Sequence, residues 1–454
     1  MSMKKLFDVD KHNLLFHNKA LFALLIPIVV EQLLNSFMGM VDTMMVSNLG
    51  SQAISGVSLV DSVNNLIVQL FSAMATGAAI ICSHYIGMRN KDGANKAARQ
   101  VVLTVMVISL AITILGLIFR RPLLTLIFGH VEQEVMDNAV DYFLFTALSY
   151  PFLALFSAGS AIFRSCGNSR YPMMVSVISN VFNIGGNALL MFVFKLGVSG
   201  AAISTLVSRV FCMVVIFIAL SKPKLDIVVK DYAAIRPDFG LIKSILAIGV
   251  PSGIENSMFQ FGKLAIQSTV STLGTAAIAA QAMTNILENV NGIFGIGVGM
   301  CLMTVVGQTL GAGRKEEAKY YIVKLAGIAE LGIIASCLLV YAFAGPITRL
   351  GGMETDSARM CIEMVGAITI VKPLVWVLSF VPAYGMRAAG DVKFSMITSI
   401  ITMWGCRVAL SIALIRIFGM GPIGVWYGMF ADWTIRGIIF TTRFFSERWV
   451  KKVI

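Results

Sequence analysis

The chain has 454 residues, 57% of them hydrophobic and 13% charged, with a mean hydropathy of +0.82. Soluble domains run at about 45–50% apolar and about 25% charged, so a soluble enzyme is excluded, and no polar stretch is long enough to fold alone beside a single anchor. The net charge of +12 reads as Lys and Arg gathered in loops on one side of a membrane, so no nucleic-acid partner is expected.

A membrane-spanning helix needs about 20 mainly apolar residues. This places twelve spans near residues 20–46, 53–82, 101–119, 138–159, 172–194, 199–220, 241–270, 276–306, 322–343, 360–382, 395–416 and 421–442. The first run is too long for a signal peptide and holds Pro27, Glu31 and Asp42 where a small-residue cleavage site would be needed, so it is expected to stay as helix 1. An even number of spans puts both termini on one side. That side collects 25 basic residues within 4–19, 89–99, 164–170, 222–243, 314–324, 387–393 and 443–452, against six on the other, Arg120, Arg121, Lys195, Arg349, Arg359 and Arg416. The imbalance predicts cytoplasmic termini in a multi-pass inner-membrane protein.

Ionisable residues in spans cost roughly 2.5–3.5 kcal/mol each and are functional candidates by default. Helix 1 sets Glu31, Asn35, Met38 and Asp42 on one face, and helix 2 carries Asp61, Asn64 and Asn65 along its polar stripe. Helix 7 aligns Asn256, Gln260 and Lys263, with Glu255, Met258 and Phe259 beside them. Helix 8 aligns Gln281, Asn285 and Glu288, a stripe continued by Gly292, Gly295 and Gly299, which suggests a cavity above a close helix contact. Lys372, Arg407, Asp432 and Arg436 in the last spans read as structural ion pairs or as part of the same cavity.

Residues 27–94 repeat at 251–318 with a constant offset, Pro27 falling on Pro251, Glu31 on Glu255, Leu49-Gly50 on Leu273-Gly274 and Gly87 on Gly311. Arg164-Ser-Cys-Gly-Asn-Ser-Arg170 parallels Arg387-Ala-Ala-Gly-Asp-Val-Lys393. The expected fold is therefore all-α, twelve transmembrane helices in two pseudo-twofold-related six-helix lobes, 1–220 and 241–454, joined by a cytoplasmic linker at 221–240. Parallel repeats of this kind place a substrate path between lobes that rock. Glu31 and Glu255 would then face each other across the cleft.

No nucleotide-binding loop occurs: Gly307-Gln-Thr-Leu-Gly311-Ala-Gly313-Arg-Lys lacks the spacing and the hydroxyl. ATP is thus not the direct energy source, and a membrane carboxylate is the means of ion coupling. The seven cysteines are scattered through apolar runs and the four histidines form no ligand pair, so no cofactor is expected.

With the Pro27–Gly50 segment PIVVEQLLNSFMGMVDTMMVSNLG, the Gly307–Lys315 turn and the two Arg-to-basic turns in place, the chain resembles the multidrug and toxic compound extrusion (MATE) family over residues 20–445. The resemblance implies a secondary exporter, a monomer, that exchanges organic cations or drug-like compounds for protons or sodium. It implies that Asp42, with Glu31 a second candidate, holds the coupling ion alongside Asn180, Asn183 and Thr205, Asn187 standing where many members carry an aspartate. Any bound ion beyond a proton would be sodium near Asp42. The alternative is a flippase for lipid-linked precursors, which would show a cationic cavity; a membrane-embedded transferase lacks its His or acid cluster. Counting four acids and one Lys on the cavity faces, hydrophobic monocations are the expected substrates.

Overall fold

The computed structural model describes residues 13–129, 132–222, 225–230 and 235–451, so the basic residues Lys4, Lys5, Lys11, Lys224 and Lys452, together with His12 and His130, lie outside the described residues. Among the described residues the chain is helical with no strand, as lipid demands, since a helix satisfies its backbone N–H and C=O groups within one segment.

Six helices build the first half. They are α1 (Asn18–Ser47), α2 (Ser51–Gly87), α3 (Lys91–Ile118), α4 (Gln133–Leu148 with Tyr150–Ser165), α5 (Arg170–Val193) and α6 (Gly197–Leu220). The second half repeats them as α7 (Phe239–Val270), α8 (Thr275–Gly311), α9 (Lys315–Leu350), α10 (Thr355–Ala388), α11 (Val392–Arg416) and α12 (Ile423–Phe445). Among the described residues, nine helices are long and apolar enough to cross a membrane, and the two pieces of α4, bent by 42°, make a tenth. α7 and α12 complete the twelve; Lys263 in one and Asp432 and Arg436 in the other lower their mean hydropathy. The α4 bend falls where Pro151, at the start of the second piece, has no N–H to continue the ladder. The fifth helix of each half contains a π-helical stretch, Ala188–Val193 and Met403–Leu410, a local widening often found at functional sites.

The repeat is visible in the backbone. Gly50 and Gly274 cap α2 and α8 at φ +112°, ψ 169° and φ +94°, ψ 172°, a region closed to side-chain-bearing residues, and no atom crowds either position. Glycine stands there for its conformation and not for space.

Packing divides the described chain within α7 into residues 18–253 and 254–451, the latter joined by residues 13–17. The first turns of α7 stay with the first unit because small residues let them close on α2, Gly77 meeting the Ile245 carbonyl and Gly253 meeting Leu70. The linker is fastened to α3: Gln100 Nε2 donates to the Arg236 carbonyl at 2.7 Å, and Lys96 pairs with Asp238 at 2.6 Å. Within the second unit, the glycine stripe of α8 lies against α10, with Gly295 under Trp376 and Gly299 under Tyr384. That places Gly295-Ile-Gly-Val-Gly299 in a helix contact and not in a phosphate loop.

Candidate functional site

The polar interior of the first unit gathers around Asp42, half-buried on α1. Asn187 Nδ2 donates to Asp42 Oδ1 at 2.7 Å. In the amide orientation that satisfies both of its partners, Asn183 also donates to Asp42 Oδ1, at 3.1 Å, and accepts from the Thr205 N–H at 3.3 Å. Asn183 and Asn187 are one helical turn apart on α5, which aims both amides at the same carboxylate. Asn180, a further turn back, has a buried Nδ2 without a hydrogen-bond partner.

A second carboxylate stands near. Asp61 on α2 accepts from Asn64 at 3.3 Å, Asn64 accepts from the Tyr150 hydroxyl at 2.6 Å, and Tyr142 stands beside Asp61. Arg209 of α6 lies within electrostatic reach of both Asp42 and Asp61 and donates to Ser149 Oγ at 2.5 Å, at the break in α4. The bend thereby turns Ser149 and Tyr150 into the polar interior. Arg209, Tyr142 and Tyr150 were not foreseen from the sequence; the signal was there in Arg209, a lone cation in the apolar run of α6.

Glu31 takes a different place. It is 3% exposed and forms an ion pair with Arg164, whose Nη2 reaches both carboxylate oxygens at 2.8 and 2.7 Å. Its repeat partner Glu255 is 2% exposed and paired with Arg387 at 2.6 Å. Each glutamate is thus paired inside its own half and is not an open acid there: a buried carboxylate one turn after Pro27 or Pro251 is held where an arginine in the last turn of the fourth helix can reach it.

In the second unit, the polar residues of α7 and α8 fall into two groups. Gln281 is buried and accepts from Trp426 Nε1 at 3.2 Å, and its amide donates to the exposed Asn285 at 3.4 Å. Asn256, Met258, Phe259 and Gln260 are half-buried, and Lys263 is exposed. Glu288 pairs with the fully buried Lys372 at 2.7 Å, while Asp432 receives Arg436 at 2.7 Å and Arg407 at 3.0 Å. The count of four acids against one Lys therefore fails: Glu31 and Glu255 are neutralised, and Lys372, Arg407 and Arg436 join the interior. In the first unit, Asn35 and Asn65 are exposed and Met38 is half-buried. Among the described residues no group of three or more His, Cys, Asp or Glu side chains is placed to hold a metal ion.

Comparison with known proteins gives the same two-part picture. A single family model, MatE, matches twice, over residues 27–189 and 251–413, both boundaries displaced equally and in the register of the sequence repeat. The chain is 28% identical over 439 residues to the uncharacterized transporter YisQ of Bacillus subtilis, covering 95% of each. It is 24% identical to the probable multidrug resistance protein NorM of Thermotoga maritima, covering 96% of this chain and 94% of that one. A crystal structure of MATE in complex with MaL6 superposes with a TM-score of 0.89 at 19% identity, over 98% of this chain and 99% of that chain. With both repeats accounted for by one model, this multi-pass membrane chain belongs to the MatE family of multidrug and toxic compound efflux transporters.

Proposed function

We propose that the protein exports small amphipathic molecules in exchange for protons, with Asp42 as the proton-carrying group. The observation that carries this reading is the pair of amides, Asn183 and Asn187, that both donate to Asp42. Both amides donate to the carboxylate, and a proton added there replaces an acceptor oxygen by an O–H donor, so protonation alters those contacts without any further ligand. Sodium would need the opposite arrangement, with oxygens turned toward the ion. Asp42 and Asp61 together against Arg209 leave one negative charge, which one proton cancels. The excess of basic residues on the terminal side supports cytoplasmic termini, so that export runs away from them.

The test uses purified protein in vesicles loaded with a fluorescent substrate under separately imposed proton and sodium gradients. A pH gradient alone should drive movement, and Asp42→Asn should abolish it while leaving the amount of inserted protein unchanged. Drive by sodium at constant pH would reject the proton, and normal transport by Asp42→Asn would reject the site.

The flippase reading, for lipid-linked precursors, gains one observation: the interior of the second unit is cationic.

A further inference from the structure

Apart from the Glu255–Arg387 pair and Asp391 with Arg443 and Lys451, the charges around Phe259 and Lys372 do not balance. Lys263, Lys372, Arg407 and Arg436 stand against two carboxylates, Glu288 and Asp432. Two of the cations have complete structural roles. Lys372, wholly buried, takes Glu288 at 2.7 Å together with its backbone carbonyl at 3.3 Å. Arg436 takes Asp432 one helical turn away and reaches Thr402 Oγ1 at 3.3 Å. Arg407 receives the remainder: it shares Asp432 with Arg436, and its buried Nε has no hydrogen-bond partner. Lys263 makes no ion pair among the described residues, is exposed, and lies within electrostatic reach of Arg407 and Glu288. Glu330 on α9 forms no ion pair among the described residues and so is not the counter-ion of either cation.

The surroundings fit an amphipathic ligand. Phe259 lies one turn before Lys263 on α7, with the Arg407 and Arg436 guanidinium groups 5.4 and 5.0 Å from its ring centre; Phe380 holds Arg436 at 5.2 Å from its other side. Cations stacked on rings keep their charge while shedding water, and this leaves them free to attract an anion. Reading all four cations as structural explains the pairs of Lys372 and Arg436 but leaves Lys263 and the Arg407 Nε unexplained.

We propose that Lys263 and Arg407 bind an anionic group, a carboxylate, sulfonate or phosphate, on the apolar body of the transported molecule, so that this protein exports amphipathic anions. The inference rests on the exporter reading above. It inverts the charge preference expected from the sequence.

Fluorescein and rhodamine 123 share a xanthene skeleton with opposite charge. Binding of each to the purified full-length protein in phosphatidylcholine vesicles should favour fluorescein. Lys263→Gln, at an exposed position and with unchanged thermal melting as the control for folding, should weaken fluorescein about tenfold, the scale of one lost charged hydrogen bond, and Lys263→Glu should reverse the preference. Tighter rhodamine binding by the wild type, or fluorescein binding indifferent to both variants, overturns the proposal. Flux of both dyes under a pH gradient separates the two readings. Lys263-dependent fluorescein binding without movement of either dye leaves the anion site standing and removes the exporter; driven rhodamine flux without fluorescein flux does the reverse. Displacement of fluorescein by phosphatidylglycerol through Lys263 would assign the anionic group to a lipid headgroup, and lack of displacement to a soluble solute.

Discussion

Single residues carry the most decisive contacts, and they were the least legible in the sequence. Glu31 and Arg164 lie 133 positions apart and Glu255 and Arg387 132 apart. Periodicity puts Glu31 on a face with Asp42, but it cannot show that an arginine from a distant turn covers it. Asp42 was legible as an ionisable residue within a span, whereas Asn183 and Thr205 were named through the family resemblance, and the structure brings the three together; composition alone would not have chosen those two over Asn35 or Asn65. Removing one partner of a buried ion pair strands the other charge, at about 3–5 kcal/mol. Arg164→Ala should therefore lower the melting temperature and the yield of monodisperse protein in detergent. The exchange Glu31→Arg with Arg164→Glu should recover much of the loss, which a role in transport alone would not produce.

At the scale of helices, the sequence was more informative. Span positions followed from runs of apolar residues, and the glycine stripe of α8 was rightly read as a helix contact. The bend of α4 was missed because Pro151 lies in an otherwise continuous apolar run, and the attachment of early α7 to α2 was missed because it depends on small residues meeting across 170 or so positions of chain. Gly50→Ala and Gly274→Ala should each destabilise by roughly 1–2 kcal/mol, the cost of a side chain in left-handed backbone, and by similar amounts in thermal melts, since both turns have the same geometry. After α12, Glu447 binds Lys319 at 2.7 Å and Lys315 at 3.1 Å, and these cations push its pKa down to about 2. A depressed carboxylate pKa stabilises above the ordinary value near 4.3, and the contribution is lost only as pH falls toward about 2. Protection factors for hydrogen exchange at the start of α9, corrected for the intrinsic pH dependence of amide exchange, should thus be alike at pH 7 and pH 5, and lower at both in Glu447→Gln.

For the molecule as a whole, the duplication was plain from sequence because equal offsets need no knowledge of folding; what each half does with its interior was not. Besides its Glu31–Arg164 pair, the first half keeps two carboxylates and one arginine within reach of one another, Asp42, Asp61 and Arg209, while the second, besides Glu255–Arg387, sets Lys263, Lys372, Arg407 and Arg436 near Glu288 and Asp432. The twelve-span topology predicts that single cysteines at Lys222 and Lys195 face opposite sides of the membrane. In intact cells an impermeant maleimide should label Lys195→Cys and leave Lys222→Cys untouched until the membrane is opened; labelling of both from one side would require an even number of spans between them and would overturn α6 as a single crossing.

The paired clamps also bear on how the chain is made. Glu31 leaves the ribosome long before Arg164, and until the fourth helix and its turn arrive, that carboxylate has no partner in the membrane. The first half can close its clamp before α7 is synthesised, and the second half then repeats the act with Glu255 and Arg387. Each half so carries its own signal of completion, one that a nascent chain truncated before the fourth turn would fail to give and that quality-control proteases could read as an unpaired charge in lipid.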